Sequence, residues 1–238
     1  MENQQATKPV MQQQTPHSVL SSVFGYKQFR AGQEQVIDAV LAGQDCLVLM
    51  PTGGGKSLCY QVPALLLPGI TIVVSPLISL MQDQVAQLKA QGVAAAYINN
   101  SQSREEQQLI YQGLHQGQIK ILYVAPERLL TDDFSTRLQH LNIGLFAIDE
   151  AHCVSHWGHD FRPHYYRLGQ LKQRFSHIPI MALTATADIA TRNDIVKQLG
   201  LTNAHIYTGS FDRPNIRYTI EEKFKPLSQL MRFLKEQK

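Results

Sequence analysis

The segment Met50-Pro-Thr-Gly-Gly-Gly-Lys-Ser57 restricts the possible folds of this chain more than any other stretch. The apolar run Asp45-Cys-Leu-Val-Leu-Met50 leads into it, and a helical pattern from Ser57 to about Leu67 leaves it. A short, fully apolar run that ends in a glycine-rich turn reads as a parallel strand buried on both faces. The glycines let backbone N–H groups approach a phosphate, and the helix N-terminus adds its partial positive charge. Lys56 is placed to reach β- and γ-phosphates, and the Ser57 hydroxyl to hold Mg²⁺. The strict pattern asks for glycine where Met50 stands, so the match is to a variant form carried by Pro51-Thr52-Gly53. The alternative is a glycine-rich turn with a stray lysine. The strand–turn–helix setting argues for Thr52, Gly53, Gly54, Gly55, Lys56 and Ser57 as a phosphate loop.

The rest of the chain repeats the same alternation. Further strand candidates are Ile70 to Ser75, Ala95 to Ile98, Ile119 to Ala125, Ile143 to Asp149, Ile178 to Thr184 and Ile206 to Thr208. Helical stripes run through Val36, Ile37, Val40 and Leu41, through Leu77, Ile78, Met81, Val85 and Leu88, and from about Ala187 to Leu199. Strands alternating with helices predict an α/β fold: a mainly parallel sheet with helices on both faces and right-handed crossovers. Sites in such sheets lie at the carboxyl ends of strands. Residues 1–16 are Gln-rich, poor in apolar side chains and expected to be a disordered tail. One lobe is expected over residues 17–208. After Asp212-Arg-Pro-Asn215 the pattern changes to a strand over Ile216 to Ile220 and an amphipathic helix over Pro226 to Gln237. These form no core of their own, and residues 209–238 read as a hinge and the start of a second lobe.

Bulk properties fit this reading and exclude others. Hydrophobic residues make up 44% of the 238, enough for a sizeable core. A net charge of +3 permits nucleic-acid binding without arguing for it. Cys46, Cys59 and Cys153 are odd in number and widely spaced, which favours a reducing cytosol over a disulfide framework. No run approaches the ~20 apolar residues of a membrane helix, and the N-terminus lacks the apolar core of a signal peptide.

Leu145-Phe-Ala-Ile-Asp149-Glu150-Ala151-His152 is an apolar strand candidate ending in two carboxylates. Asp149 would enter the Mg²⁺ shell, and Glu150 would orient and deprotonate a water. A strand end that happens to be acidic is the alternative, and the phosphate loop upstream weighs against it. Asp-Glu-Ala-His is also the box of a branch of superfamily 2 helicases. Further segments resemble that superfamily, and the RecQ family of DNA helicases in particular. They are Phe24-Gly-Tyr-Lys-Gln-Phe-Arg-Ala-Gly-Gln33, Val74-Ser-Pro-Leu-Ile-Ser-Leu-Met-Gln-Asp-Gln84, Tyr123-Val-Ala-Pro-Glu-Arg128 and Ala182-Leu-Thr-Ala-Thr-Ala187. The resemblance runs from about residue 17 to the C-terminus.

The resemblance implies a RecA-like lobe that uses ATP and Mg²⁺ and moves 3′ to 5′ on DNA in recombination and repair. Tyr26 and Arg30 would stack on adenine and Gln33 would read its edge; an aromatic, polar helix entrance is the alternative. The loop Cys153-Val-Ser-His-Trp-Gly-His-Asp-Phe-Arg-Pro-His-Tyr165 resembles the family's aromatic-rich loop, which couples single-stranded DNA binding to ATP hydrolysis. Trp157, Phe161 and Arg162 would touch unpaired bases, with His159 and Asp160 in coupling roles. Two alternatives stand beside this: aromatic plugs of the core, and a zinc site among His152, Cys153, His156, His159 and His164, against which the irregular spacing argues.

Thr184 and Thr186 would relay nucleotide state; a strand-to-helix turn capped by Thr186 is the alternative. Ser75, Pro76 and Arg128 would lie on the DNA backbone track, with a solvated surface as the alternative for Arg128. The expected partners are single-stranded and partly duplex DNA, single-strand-binding proteins and repair proteins, but no membrane. The expected location is the bacterial cytosol, near the nucleoid. The resemblance also implies a second lobe carrying an arginine finger, without which ATP hydrolysis and unwinding are expected to be poor. A nucleotide-dependent binding module remains open beside the motor. A small-molecule kinase is disfavoured by Gln33, Asp149-Glu150-Ala-His152 and Thr184-Ala-Thr186 occurring together.

Overall fold

The computed structural model describes residues 14–157, 160–210, 212, 216 and 219–236. Seven strands are formed: β1 (Cys46–Leu49), β2 (Ile70–Val74), β3 (Ala95–Ile98), β4 (Ile121–Val124), β5 (Ile143–Ile148), β6 (Ile180–Thr184) and β7 (His205–Thr208). They make one sheet in the order β3-β4-β2-β5-β6-β1-β7, and every pairing is parallel. The continuous apolar runs of the sequence have their cause here, since β1, β2, β4 and β6 are buried at every position.

Alternate strand residues feed two cores. Leu47, Leu49, Ile72, Val74, Leu122, Val124, Phe146 and Ile148 face one side, against helices Arg104–His115, Asp132–Leu138 and Ile189–Leu199. Cys46, Val48, Val73, Tyr123, Leu145, Ala147, Met181 and Leu183 face the other. There they meet helices Pro16–Ser22, Gln33–Leu41, Lys56–Leu66 and Ile78–Ala90. This is the α/β architecture the sequence predicts.

Local differences have local causes. The expected tail lies outside the described residues over 1–13, whereas Thr15 caps helix Pro16–Ser22 through a capping box with Ser18. The helix after β6 is capped by Asp188, whose Oδ1 accepts the Thr191 N–H at 2.7 Å, and not by Thr186. Helix Arg104–His115 is not among the sequence expectations, although its capping box, Ser103 with Glu106, is a readable start signal. The strand expected over Ile216 to Ile220 falls partly outside the described residues, and Ile216, Thr219 and Ile220 carry no strand. The amphipathic helix runs Pro226–Glu236. No described helix is long and apolar enough to cross a membrane.

Candidate active site

The sheet order decides what can meet at its carboxyl edge. β6 lies between β1 and β5, so the turn after β1, the threonines after β6 and the carboxylates after β5 stand side by side. One cavity of about 390 Å³ opens there, lined by Tyr26, Arg30, Gln33, Lys56, Asp149 and Glu150, with Thr52, Gly53, Gly55 and Ser57 also on its wall.

The loop wall is glycine because of its backbone. Gly53 and Gly55 adopt φ of 80° and 84°, the left-handed region that side chains resist. At Gly54 a Cβ would meet the Pro51 carbonyl at 2.9 Å. Lys56 begins the following helix, and its ammonium donates to the carbonyls of Met50 (3.1 Å) and Pro51 (3.5 Å).

On the opposite wall, the Asp149 N–H donates to the Val74 carbonyl at 2.9 Å, holding the strand end in register. Burial, and then the negative charge of Glu150, push the Asp149 carboxyl up to about 6. The Glu150 N–H, which donates to Asp149 Oδ1 at 3.0 Å, and the Lys56 charge act the other way. Glu150 itself has φ 49°, a left-handed conformation that a side chain occupies at a cost and that re-aims the carboxylate at the strand end. Glu150 Oε2 lies 3.3 Å from His152 Nδ1, which is 2.9 Å from Thr184 Oγ1. The Thr184 hydroxyl donates to the Thr186 carbonyl at 3.0 Å, so its hydrogen is committed. Carboxylates only accept, so both neighbours require the proton of His152 on Nδ1.

At the far end of the cavity Tyr26 is 53% exposed. Gln33 is buried; its Oε1 accepts the Arg30 N–H at 2.8 Å and its Nε2 donates to the Gly55 carbonyl at 3.0 Å. The Arg30 guanidinium donates to the Gly53 carbonyl. The three residues are thus built onto the phosphate loop itself.

A family model for the DEAD/DEAH box helicases matches residues 30–195. The chain belongs to this family. It is 58% identical over 229 residues to the ATP-dependent DNA helicase RecQ of Haemophilus influenzae, covering 96% of this chain and 37% of that protein. It is 60% identical over 225 residues to RecQ of Pasteurella multocida, covering 94% and 36%. These likenesses put it on the RecQ branch. The chain spans little more than a third of the length of these curated relatives. Its fold is similar to the Hef helicase domain of Pyrococcus furiosus, with a TM-score of 0.58 at 19% identity over 75% of this chain and 38% of that one.

In this DEAD/DEAH box lobe the aromatic-rich loop follows the acidic pair directly. Trp157 is 76% exposed, so it does not plug the core. Phe161 is half-buried and stacks on His156 at 3.9 Å between ring centroids. Arg162 donates to Asp160 Oδ2 at 2.8 and 3.1 Å and to the Pro76 carbonyl at 3.5 Å, tying the loop to the turn after β2. That pair also holds the Asp160 carboxyl below the usual range. His159 lies outside the described residues. Of the five residues considered for zinc, His156 is engaged with Phe161 and His164 is exposed, so the four described ones do not form one shell.

Ser75 is buried with its Oγ unpartnered, beside half-buried Pro76. Arg128 is not on a solvated surface. Its guanidinium donates to Gln107 Oε1 at 3.0 Å and to the Tyr111 hydroxyl, and faces Asp133 at 3.6 Å. Two residues that the sequence reading gave no part in the nucleotide site also matter. His152 links Glu150 to Thr184. Tyr165 is fully buried and donates its hydroxyl to the Asp149 carbonyl at 3.0 Å. The signal for His152 was its place in the acidic box; for Tyr165 no sequence signal separates it from any core tyrosine.

Proposed function

We propose that this chain is the nucleotide-binding lobe of a RecQ-type DNA-dependent ATPase, holding ATP and Mg²⁺ in the 390 Å³ cavity and single-stranded DNA against the aromatic-rich loop. The observation that carries the reading is the one cavity whose lining brings together Lys56, Ser57, Asp149, Glu150, Tyr26, Arg30 and Gln33. The residues fit the ligands. The left-handed glycines and the Gly54 close approach make a cradle for phosphate oxygens. Ser57 and Asp149 are oxygen donors of the kind a hard cation takes, and Asp149 is a carboxylate short of compensating positive charge. Mg²⁺ bound there supplies charge neutralisation to the β- and γ-phosphates.

The chain's own groups do the rest. Lys56 leaves its loop carbonyls for a stronger, charge-assisted acceptor. Glu150, held by His152, orients the attacking water and takes its proton on the carboxylate. His152 and Thr184 carry the position of Glu150 to β6, and Tyr165 carries that of Asp149 to the helix after the aromatic-rich loop. Arg162 joins the same loop to Pro76. Ser75, Pro76 and Arg128 are assigned to the phosphodiester track, with Trp157 and Phe161 as stacking platforms. Thr186 and His159 complete the coupling set.

Unwinding in the 3′–5′ direction, a role in recombination and repair, repair-protein partners and a place at the bacterial nucleoid are proposed for the longer protein of which such a lobe is part. Turnover by this chain alone is expected to be feeble, because an arginine finger in trans contributes ~10³ or more in rate.

Titration with a fluorescent ATP analogue tests the lobe. Saturable, Mg²⁺-dependent binding is expected, weakened about 10- to 100-fold in Lys56→Ala through loss of charged hydrogen bonds. Equal affinity in parent and variant would remove the phosphate-loop reading. Single-stranded DNA tests the loop. Trp157→Ala should lower affinity about 10- to 100-fold, the worth of one stacked base. Its melting temperature should not change, since the ring is 76% exposed. DNA affinity that survives this change transfers the contact elsewhere.

A further inference from the structure

The aromatic-rich loop brings three potential metal ligands together beside the catalytic carboxylates. His152, Cys153 and the Asp160 carboxylate each offer a ligand atom, and these atoms lie within 4.8 Å of one another. Cys153 Sγ is central, 3.8 Å from His152 Nε2 and 3.7 Å from Asp160 Oδ2. This set differs from the five-residue cluster considered from the sequence, because Asp160 closes the group and His156 and His164 stay outside it.

We propose that His152 Nε2, Cys153 Sγ and the Asp160 carboxylate bind a borderline-soft divalent cation of the zinc class, with solvent as the fourth ligand. The histidine is oriented as ligating histidines are. Its Nδ1 faces Glu150 Oε2 at 3.3 Å and Thr184 Oγ1 at 2.9 Å, and its Nε2 lies on the side of the sulfur, 3.8 Å away. A carboxylate or hydroxyl behind a histidine fixes the ring and raises its donor strength. The donor types, one sulfur, one imidazole nitrogen and one carboxylate oxygen, select zinc over the magnesium class, which takes oxygen alone. Ligand atoms around a tetrahedral zinc are separated by roughly 3.2–3.7 Å, given bond lengths near 2.0–2.3 Å. The observed 3.7 and 3.8 Å thus ask for only a slight contraction. An entry path exists, because the Asp160 side chain is 46% exposed.

On binding, the Cys153 S–H bond breaks, an S–metal bond forms, and the proton leaves to solvent. Asp160 must give up part of its pairing with Arg162, a surface ion pair of modest worth. If the motor reading holds, an ion bound here acts as a brake: it pins the histidine behind Glu150 and frees Arg162 from the loop geometry that reaches Pro76.

Cadmium titration of this chain in chelator-stripped buffer tests the site. A thiolate-to-cadmium charge-transfer band should appear, saturate at one ion per chain and be displaced by zinc. Cys153→Ser should remove the band although Cys46 and Cys59 remain, and Asp160→Asn should weaken binding at least tenfold. Absence of the band with cadmium in large excess, its persistence in Cys153→Ser, or unchanged affinity in Asp160→Asn would each overturn the site. Should Cys153→Ser fail to fold, the half-exposed Asp160 still decides. A separate arm measures single-stranded DNA affinity with and without zinc. A zinc-dependent fall that vanishes in Asp160→Asn supports the brake; a normal cadmium band with no change in DNA affinity overturns the brake and leaves the site standing.

Discussion

In metal-free buffer at pH 8, Asp149→Asn is expected to be more stable than the parent chain while losing Mg²⁺-dependent nucleotide binding. The Asp149 carboxyl is pushed from its ordinary 3.8 up to about 6, first by burial and then by Glu150. The folded state therefore prefers the protonated form. Below pH 3.8 the carboxyl is protonated folded and unfolded, and it costs nothing. As the pH rises from about 4 to 6 the unfolded chain ionises first, and stability falls. Above 6 the full penalty is in place, on the order of 3 kcal/mol for two pH units. Asparagine removes the charge and keeps an oxygen to accept the Glu150 N–H. For a chain of this size the gain corresponds to a melting temperature higher by roughly 6–12 °C. The gain should shrink as the pH is lowered through about 6 and be nearly gone by pH 4. Thermal melts at pH 8 and pH 4 with excess chelator check this. Identical melts at pH 8, or a gain that does not depend on pH, would remove the idea that this carboxylate is held short of compensating charge.

That trade explains why the acidic pair was so readable and its surroundings were not. Two adjacent carboxylates at the end of an apolar strand violate the pattern of a buried run, and such violations show in one dimension. The same is true of three glycines before a lysine at a helix start. Strand extents were legible because a sheet buried on both faces demands unbroken apolar runs. The order of those strands was not legible: nothing in Ile180-Met-Ala-Leu-Thr184 says that it lies between β1 and β5, yet this insertion lets Thr184 meet His152. The partners of Arg128 were hidden for a related reason. Its sequence neighbours suit a DNA-facing turn, but Gln107, Tyr111 and Asp133 come from other segments to hold it, and only the fold reveals them. The Cys153–Asp160 approach is hidden likewise, since the two lie seven positions apart in a loop without a periodicity to relate them.

The phosphate loop offers a comparison between two neighbouring glycines with nearly the same backbone. Gly53 and Gly55 both lie in the left-handed region, at φ 80° and 84°. Alanine at either position meets the same intrinsic cost of about 1 kcal/mol. The surroundings differ. A Cβ on Gly53 has nothing within 4 Å, whereas a Cβ on Gly55 would overlap the Gln33 side-chain nitrogen. Gln33 is buried and cannot swing away without releasing both the Gly55 carbonyl and the Arg30 N–H. Each lost hydrogen bond adds about 1 kcal/mol. Gly53→Ala should therefore lower the melting temperature by roughly 2–4 °C, and Gly55→Ala by about 6–12 °C. The nucleotide effect should diverge more steeply. Gly55→Ala moves the loop and the Gln33–Arg30 end of the cavity together, so ATP affinity should fall at least 100-fold. Gly53→Ala, with open space at its Cβ, should keep affinity within about tenfold of the parent. Equal losses from the two substitutions would mean that Gln33 does not brace the loop, and that the two ends of the cavity are set independently.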